Sequence, residues 1–489
     1  MTFQSYSFIL LFLPLTLLIY HLSDVRVRKW VLILSSVVFY GFFGIYSAAV
    51  LFAGCVINYG FYLKVTSGKA GRSWLILGVA LNVALLVFFK LSGGLQWDTR
   101  FGILMPMAFS FTTFTQIAFL CDAYSAQRSG SLCTKTLHSR TIPCADVSFL
   151  DYLIHILFFP KLLQGPIQRF EQTKEGILDR LEARITSEDL LQGLTLFTFG
   201  LAKKVLLADT LGKAVAFGYE ATLDLTRPDA ILTVLLYPMQ LDLDFSGYCD
   251  MGRGIARMMG FDLVQNFNLP LRATSVTEFW SRWHMSLTQF FTRYVYIPLG
   301  GNRKGMARTC CNIMIVFILS GLWHGTGWGF LIWGVLHGAA MCIEKVLRIQ
   351  KKPHAGMIAS ALRRVITYLF VSVAFVFFRA PSVTRALELL MQPGRVVVNF
   401  VSPAMAKCFS LDEIWYPIKA LHLDGWRFGE YICMAVMIAI SVVVSMTKMT
   451  RKPDKGTGAM SRFCILTGML LAWCVLSLGE VQTFMYVNF

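Results

Sequence analysis

Two histidines stand among residues whose types and spacing allow chemistry. His324 lies in "SGLWHGTGWGFLIWGVLHG" (320–338), next to Trp323 and among Gly321, Gly325, Gly327 and Gly329. His284 lies in "TEFWSRWHMSLTQFFTRYVYIPLGGNRKG" (277–305), directly after Arg282 and Trp283. An imidazole titrates near neutral pH, so either ring is suited to general-base work. The glycines permit another backbone or a slim ligand to come close. An ionisable ring in apolar sequence is costly and faces a cavity or a polar partner. The pattern therefore suggests an imidazole at the bottom of a narrow, aromatic-lined channel. The plainer alternative, for any one of these rings, is a buried imidazole bonded to a carbonyl or bridging two helices.

The other histidines of the eight carry weaker signals. His155 and His337 also lie in apolar sequence. His337 is thirteen positions beyond His324, ~20 Å along a continuous helix, and is therefore expected to be structural. His21 and His354 stand at expected helix ends, and His138 and His422 in loops. Asp244, Ser246, Tyr248 and Asp250 put polar groups into a membrane-like block. They are expected mainly to anchor helices or arginines. Asp244 and Asp250, with Trp323, Trp283 and Arg282, are the candidate substrate contacts. Arg253, Arg257, Arg272, Arg282, Arg293, Arg303, Lys304 and Arg308 flank the central block, with only Asp262 and Glu278 against them. Such a rim suits an anionic small molecule or, equally, lipid headgroups and topology. Twelve cysteines form no C-x-x-C pair and no His/Cys metal spacing, so neither a metal nor a structural disulfide is expected. Cys133 and Cys144 would pair only in an extracellular loop, which the charge pattern argues against.

The elements that must hold these residues are membrane helices. Of 489 residues, 56% are hydrophobic and 15% charged, too apolar for an ordinary soluble protein. Weakly charged runs recur, among them Phe8–Tyr20, Val31–Leu63, Trp74–Phe89, Phe101–Cys121, Ile313–Ile343 and Val365–Phe378. A bilayer core needs ~20 helical residues per crossing. About ten crossings are expected, with shorter re-entrant pieces, in one all-α membrane domain spanning residues 1–489. Continuous rather than alternating runs argue against a barrel. The first run follows uncharged "MTFQSYSF" with no cleavage-site pattern, so it reads as a retained helix. Arg26, Arg28 and Lys29, then Lys64, Lys69 and Arg72, then Arg128, Lys135 and Arg140 follow alternate runs. The positive-inside rule puts these loops in the cytoplasm and the N-terminus outside. Residues 169–190 read as an amphipathic surface helix. Residues 242–305 are too polar to cross simply and call for short helices buried in protein. The net charge of +17 is scattered between helices, which does not favour nucleic acid.

The sequence resembles the membrane-bound O-acyltransferase family, in the bacterial branch that includes alginate and peptidoglycan O-acetylation proteins and the teichoic acid D-alanylation membrane protein. The matching blocks run in family order: "FTTFTQIAFLCDAY" (111–124), "FFPKLLQGPIQRF" (158–170), "DFSGYCDMGRGIARMMGFDLVQNFNLP" (244–270), the two histidine blocks, "FVFFRAP" (375–381) and the terminal "FMYVNF". The resemblance implies a funnel-shaped helical protein with a central tunnel and two functional histidines, His324 as the principal one and His284 as the second. It implies an activated thioester donor from the cytoplasm, acetyl-CoA or a charged carrier protein, with no permanently bound cofactor. It also implies an extracytoplasmic glycan acceptor, reached through a separate SGNH-hydrolase-like protein, alongside a polysaccharide synthase complex. The location implied is the bacterial cytoplasmic (inner) membrane. "IPLGGNRKG" is closer to the polysaccharide acetylation members, which ranks acetyl transfer above D-alanyl transfer. A transporter or channel also hides polar residues in apolar helices, but no inverted half-repeat is visible.

Overall fold

The computed structural model describes residues 1–68, 70–94, 105–128, 146–221, 224–349, 356–395, 398–420, 428–448 and 457–480. Cys133, Cys144, His138, His354, His422, Lys69, Lys135, Arg140 and the terminal "FMYVNF" lie outside the described residues. The described chain is helical, with no strand among the described residues. Eight of its helices are long and apolar enough to cross a bilayer, against the ten or so expected. The protein is therefore an all-α, multi-pass membrane protein.

Two of the long runs each form two helices. Val31–Leu63 becomes Val25–Gly41 and Ile45–Thr66, parted where Gly44 takes φ +106°, a backbone that ends one helix and starts the next. Ile313–Ile343 becomes Gly305–His324 and Trp328–Val346, parted at 325–327.

The chain packs as two compact units: Met1–Leu194 with Gly252–Val264, and Thr195–Met251 with Gln265–Phe489. In the first, Phe3, Phe8, Phe39 and Phe159 form an aromatic cluster with ring centroids 4.9–6.4 Å apart. Helices Ile45–Thr66, Gly71–Gly94 and Phe109–Arg128 are tied by buried amides. Asn82 Nδ2 donates to Asn58 Oδ1 at 2.6 Å, and Asn58 Nδ2 donates to Gln116 Oε1 at 3.0 Å. In an apolar setting such side-chain bonds fix which helix faces which. The surface helix expected over 169–190 is instead a short helix Phe170–Gly176, a 3-10 turn Leu178–Arg180 and the start of a helix at Ser187. Phe170, Thr173, Ile177 and Leu181 are buried. These residues pack into protein, and a Cβ on Gly176 would meet the Asp262 carbonyl oxygen at 2.3 Å.

In the second unit, the helix ending at Ala202 crosses the long helix Arg227–Met258 with backbones touching. A Cβ on Gly200 would stand 2.6 Å from the Gly247 carbonyl oxygen, and one on Gly247 would stand 2.8 Å from that of Gly200. The polar block beyond it holds helices too short to span, Val276–Arg282 and Met285–Phe291, followed by a π-helical segment Thr292–Tyr296. Gly300 (φ +105°) and Gly301 (φ +57°) make the turn expected at 298–301. Gly305–His324 and Trp328–Val346 then form an antiparallel hairpin.

Candidate active site

The hairpin explains its own glycines. A Cβ on Gly321 would lie 2.5 Å from the Phe330 carbonyl oxygen, and one on Gly334 would lie 2.4 Å from that of Phe317. On Gly329 it would meet the Phe377 carbonyl oxygen at 2.2 Å, and on Gly325 the Phe330 ring at 2.3 Å. Between the two approaches left open by the sequence, the glycines here admit neighbouring protein. This close packing is what delivers His324, the last residue of its helix, into an aromatic enclosure. Its ring lies 4.6 Å from Trp323, 5.2 Å from Trp333 and 4.9 Å from Phe378, centroid to centroid. It is 3% exposed.

The break at 325–327 also changes the place of His337. The continuous helix that would carry it ~20 Å from His324 does not exist. The chain folds back, and Trp333 bridges the two rings, 5.2 Å from His324 and 5.1 Å from His337. Trp280 Nε1 donates to His337 Nδ1 at 3.2 Å. His337 thus sits in the same aromatic wall, in the bonded, helix-bridging role expected of it.

His284 arrives from the preceding block. It occupies a left-handed backbone position (φ +42°, ψ +52°) at the start of Met285–Phe291. Such a conformation in a non-glycine residue costs energy and persists only where its surroundings hold it. Asn266 is that surrounding group: Met285 N–H donates to its carbonyl oxygen at 2.9 Å, and its side-chain Oδ1 faces His284 Nδ1 at 3.3 Å. Ser286 N–H and Ser286 Oγ also donate to Oδ1, at 3.1 and 2.9 Å. A backbone N–H can only donate, so it fixes the amide with its oxygen toward the imidazole. His284 Nδ1 must then carry the proton, and the neutral ring presents Nε2 as its basic nitrogen. Burial pushes the His284 imidazole down to about 3, because a charged ring loses its hydration there. The ring is neutral across the working pH range. His284 lies 6.5 Å from the Trp323 ring and 4.9 Å from Phe245. Trp323 therefore borders both histidines, which the sequence separates by forty positions.

The other candidates divide. Trp283 stacks on Phe279 (5.5 Å, 16°) and meets Phe267 and Phe375 edge-on, so it builds the wall. Arg282 binds Glu278 at 2.8 Å and donates to the Asn268 carbonyl oxygen at 3.1 Å, clasping the loop before His284. Asp244 and Asp250 do anchor helices, and each holds a lysine. Asp244 holds Lys204 at 2.7 Å, which also holds Asp209 at 2.7 Å. Asp250 holds Lys203 at 2.7 Å. The lysines stand at the head of the π-helical segment Lys203–Ala208. Asp244 and Asp250 are six residues apart, ~9 Å along their helix, so two successive lysines can each reach one of them. The basic rim is more neutralised than its sequence suggests, since Arg257 is held by Asp189 at 2.9 Å as well as by Asp262. Arg253 and Arg257 belong to the first unit and the other rim residues to the second. His155, in the first unit, bonds Thr173 Oγ1 at 2.8 Å between Phe119 and Phe170. Sequence reasoning missed Asn266. Asn266 lies inside the quoted block "DFSGYCDMGRGIARMMGFDLVQNFNLP" but eighteen positions before His284, with no periodicity to join them.

The fold is thus a membrane helical protein with two buried imidazoles at one tryptophan, His284 beside the Asn266 amide and His324 at the end of a glycine-packed hairpin. The model of the membrane-bound O-acyltransferase family matches residues 32–385. The chain belongs to that family, and is an O-acyltransferase. It is 34% identical to the peptidoglycan O-acetyltransferase of Helicobacter pylori, over 82% of this chain and 80% of that protein. It is 36% identical to the probable alginate O-acetylase of Pseudomonas aeruginosa, over 79% of this chain and 73% of that one. The teichoic acid D-alanyltransferase of Bacillus subtilis is 30% identical over 46% of this chain and 60% of its own length.

Proposed function

We propose that this protein transfers an acetyl group from acetyl-CoA at the cytoplasmic face, along a histidine-lined tunnel, to an extracytoplasmic polysaccharide or cell-wall glycan. A peptidoglycan-like or alginate-like acceptor fits the long-range similarity to proteins named for those two glycans. The receiving partner is an SGNH-hydrolase-like acyltransferase, working beside a polysaccharide synthase complex in the bacterial cytoplasmic membrane. The N-terminus lies outside. Some of the charge behind that orientation also has structural work: Lys29 binds Asp151 at 2.6 Å, and Arg28 donates to the Leu181 carbonyl oxygen at 2.6 Å.

The observation that carries the reading is the meeting of His284 and His324 at Trp323. A hydroxyl oxygen attacks the thioester carbonyl carbon while an imidazole nitrogen takes its proton. The C–S bond breaks, and the CoA thiolate recovers the proton from the imidazolium. His324 is assigned as the principal base and His284 as the second imidazole, fixed with Nε2 basic by Asn266. Trp323 and Trp283 shape the passage, Arg282 steadies the loop, and Asp244 and Asp250 hold the surrounding helices.

The test is incubation of the purified protein and its partner with labelled acetyl-CoA, followed by mass spectrometry of protein and glycan. His324→Ala and His284→Ala proteins that insert normally are expected to lose transfer, by ~10²–10⁴-fold for a lost general base. Wild-type transfer by His324→Ala would refute the assignment. Label arriving only from a D-alanyl carrier protein would replace the acetyl reading by D-alanyl transfer.

A further inference from the structure

The second unit contains a two-part cavity whose inner wall includes Trp280, the residue that donates to His337. Its outer part, about 440 Å³, is lined by Asn302, Gly305, Met306, Thr309, Lys345 and Arg348, with Glu344. Its inner part, about 180 Å³, is mostly apolar, with Leu287, Phe291, Ile313, Val316, Phe317 and Met341 in its wall. Lys345 lines both parts, so the polar part and the apolar part adjoin at that side chain.

The mouth is positive. Its acid, Glu344, is occupied elsewhere: it accepts from Val276 N–H at 2.6 Å, Thr277 N–H at 2.9 Å and Thr277 Oγ1 at 2.7 Å, capping the helix Val276–Arg282. Neither Lys345 nor Arg348 forms an ion pair among the described residues. Gly305 and Met306 open the twenty-residue helix Gly305–His324, whose N-cap Lys304 supplies no side-chain cap. First-turn N–H groups and the positive helix end add to the two cations. Because the hairpin is antiparallel, the start of Gly305–His324 and the end of Trp328–Val346 lie at one membrane face. Ile343, Val346 and Leu347 beside the mouth are exposed, as expected of side chains against lipid. Ends of membrane-crossing helices lie near the level of the bilayer's phosphates.

We propose that the cavity binds one anionic phospholipid, with its phosphate against Lys345 and Arg348 and an acyl chain in the inner part. Arg348 offers phosphate a fork of N–H donors and Lys345 a point charge. The proposal does not depend on the acyl-transfer reading, although the cavity shares Trp280 with the wall around His337.

Native mass spectrometry of the full-length protein, delipidated in detergent and titrated with phosphatidylglycerol or phosphatidylcholine, tests the assignment. One phosphatidylglycerol is expected to bind in preference to phosphatidylcholine. Lys345→Gln with Arg348→Gln should weaken phosphatidylglycerol roughly thirtyfold, at about one cation's headgroup attraction each, and leave phosphatidylcholine unchanged. Val316→Trp, which fills the inner part, should weaken both. Should the double variant fail to fold, exposed Arg348→Gln alone carries the test with roughly a fivefold loss. Equal binding of the two lipids, undiminished phosphatidylglycerol binding in the glutamine variants, or displacement of the lipid by inorganic phosphate or CoA would overturn the proposal.

Discussion

Asn266 offers the sharpest test of how the site works. Its Oδ1 receives three donors, from His284 Nδ1, Ser286 N and Ser286 Oγ. Asn266→Ala removes that acceptor and leaves the Ser286 N–H buried and unsatisfied, at about 1–3 kcal/mol of stability. The Nδ1–H tautomer of His284 also loses its bond, about 0.5–1.5 kcal/mol net, so the ring no longer prefers to show Nε2. With the loss of orientation added, kcat for acyl transfer should fall roughly ten- to a hundredfold, with the KM for the acyl donor little changed. Asn266→Asp keeps an oxygen for Nδ1–H and should recover much of that rate. Its carboxylate stabilises the imidazolium, so the acid limb of the pH–rate profile should move to higher pH. Ser286→Ala, which spares the Ser286 N–H that fixes the amide, should stay near wild type in rate. Steady-state transfer in proteoliposomes, across a pH series and with thermal midpoints as the folding control, reads all three. A folded Asn266→Ala protein with wild-type kcat would refute the tautomer argument, and equal damage from Asn266→Ala and Asn266→Asp would reduce Asn266 to a packing role.

Further expectations concern stability and read out as thermal midpoints in detergent. Gly334→Ala drives a methyl group toward the Phe317 carbonyl oxygen, where a Cβ would stand at 2.4 Å, and should cost about 1–3 kcal/mol, with Gly334→Val costing more; an unchanged midpoint would mean that the hairpin can open without penalty. Lys204 and Asp244 have side chains 1% and 2% exposed, so Lys204→Met takes the cation from two buried carboxylates and should cost about 3–5 kcal/mol. Adding Asp209→Asn and Asp244→Asn should restore most of that loss, and no restoration would show that the lysine acts by packing alone. His284, held near 3 in the fold against an ordinary 6.5, takes its proton in the unfolded chain first. Its contribution is whole above pH 6.5 and falls as pH drops toward 3, by up to ~1.4 kcal/mol per pH unit. His284→Gln should therefore show a shallower decline between pH 7 and 5 than the wild type, and parallel declines would contradict a neutral buried ring.

The sequence by itself determined the solvent and the class of element. Long runs with few charges can satisfy their backbone in lipid only as helices, and that follows from composition without any contact being known. It also marked His284 and His324, because an ionisable ring in such sequence needs a local reason. The tertiary structure decided what surrounds them. Periodicity within a continuous helix put His337 far from His324, yet the turn at 325–327 folds the chain back and brings both rings against Trp333. The glycines of 320–338 announced a close approach, but which backbone approaches depends on Phe330, Phe317 and Phe377. Lys203 and Lys204 gave no sign of pairing with Asp250 and Asp244 some forty residues on, since an ion pair between helices leaves no local pattern. Asn266 sets the tautomer of His284 across eighteen positions of irregular chain. Helix formation is a local decision of backbone and hydropathy, whereas the direction of a proton on a buried ring is settled by whichever distant group the fold sets beside it.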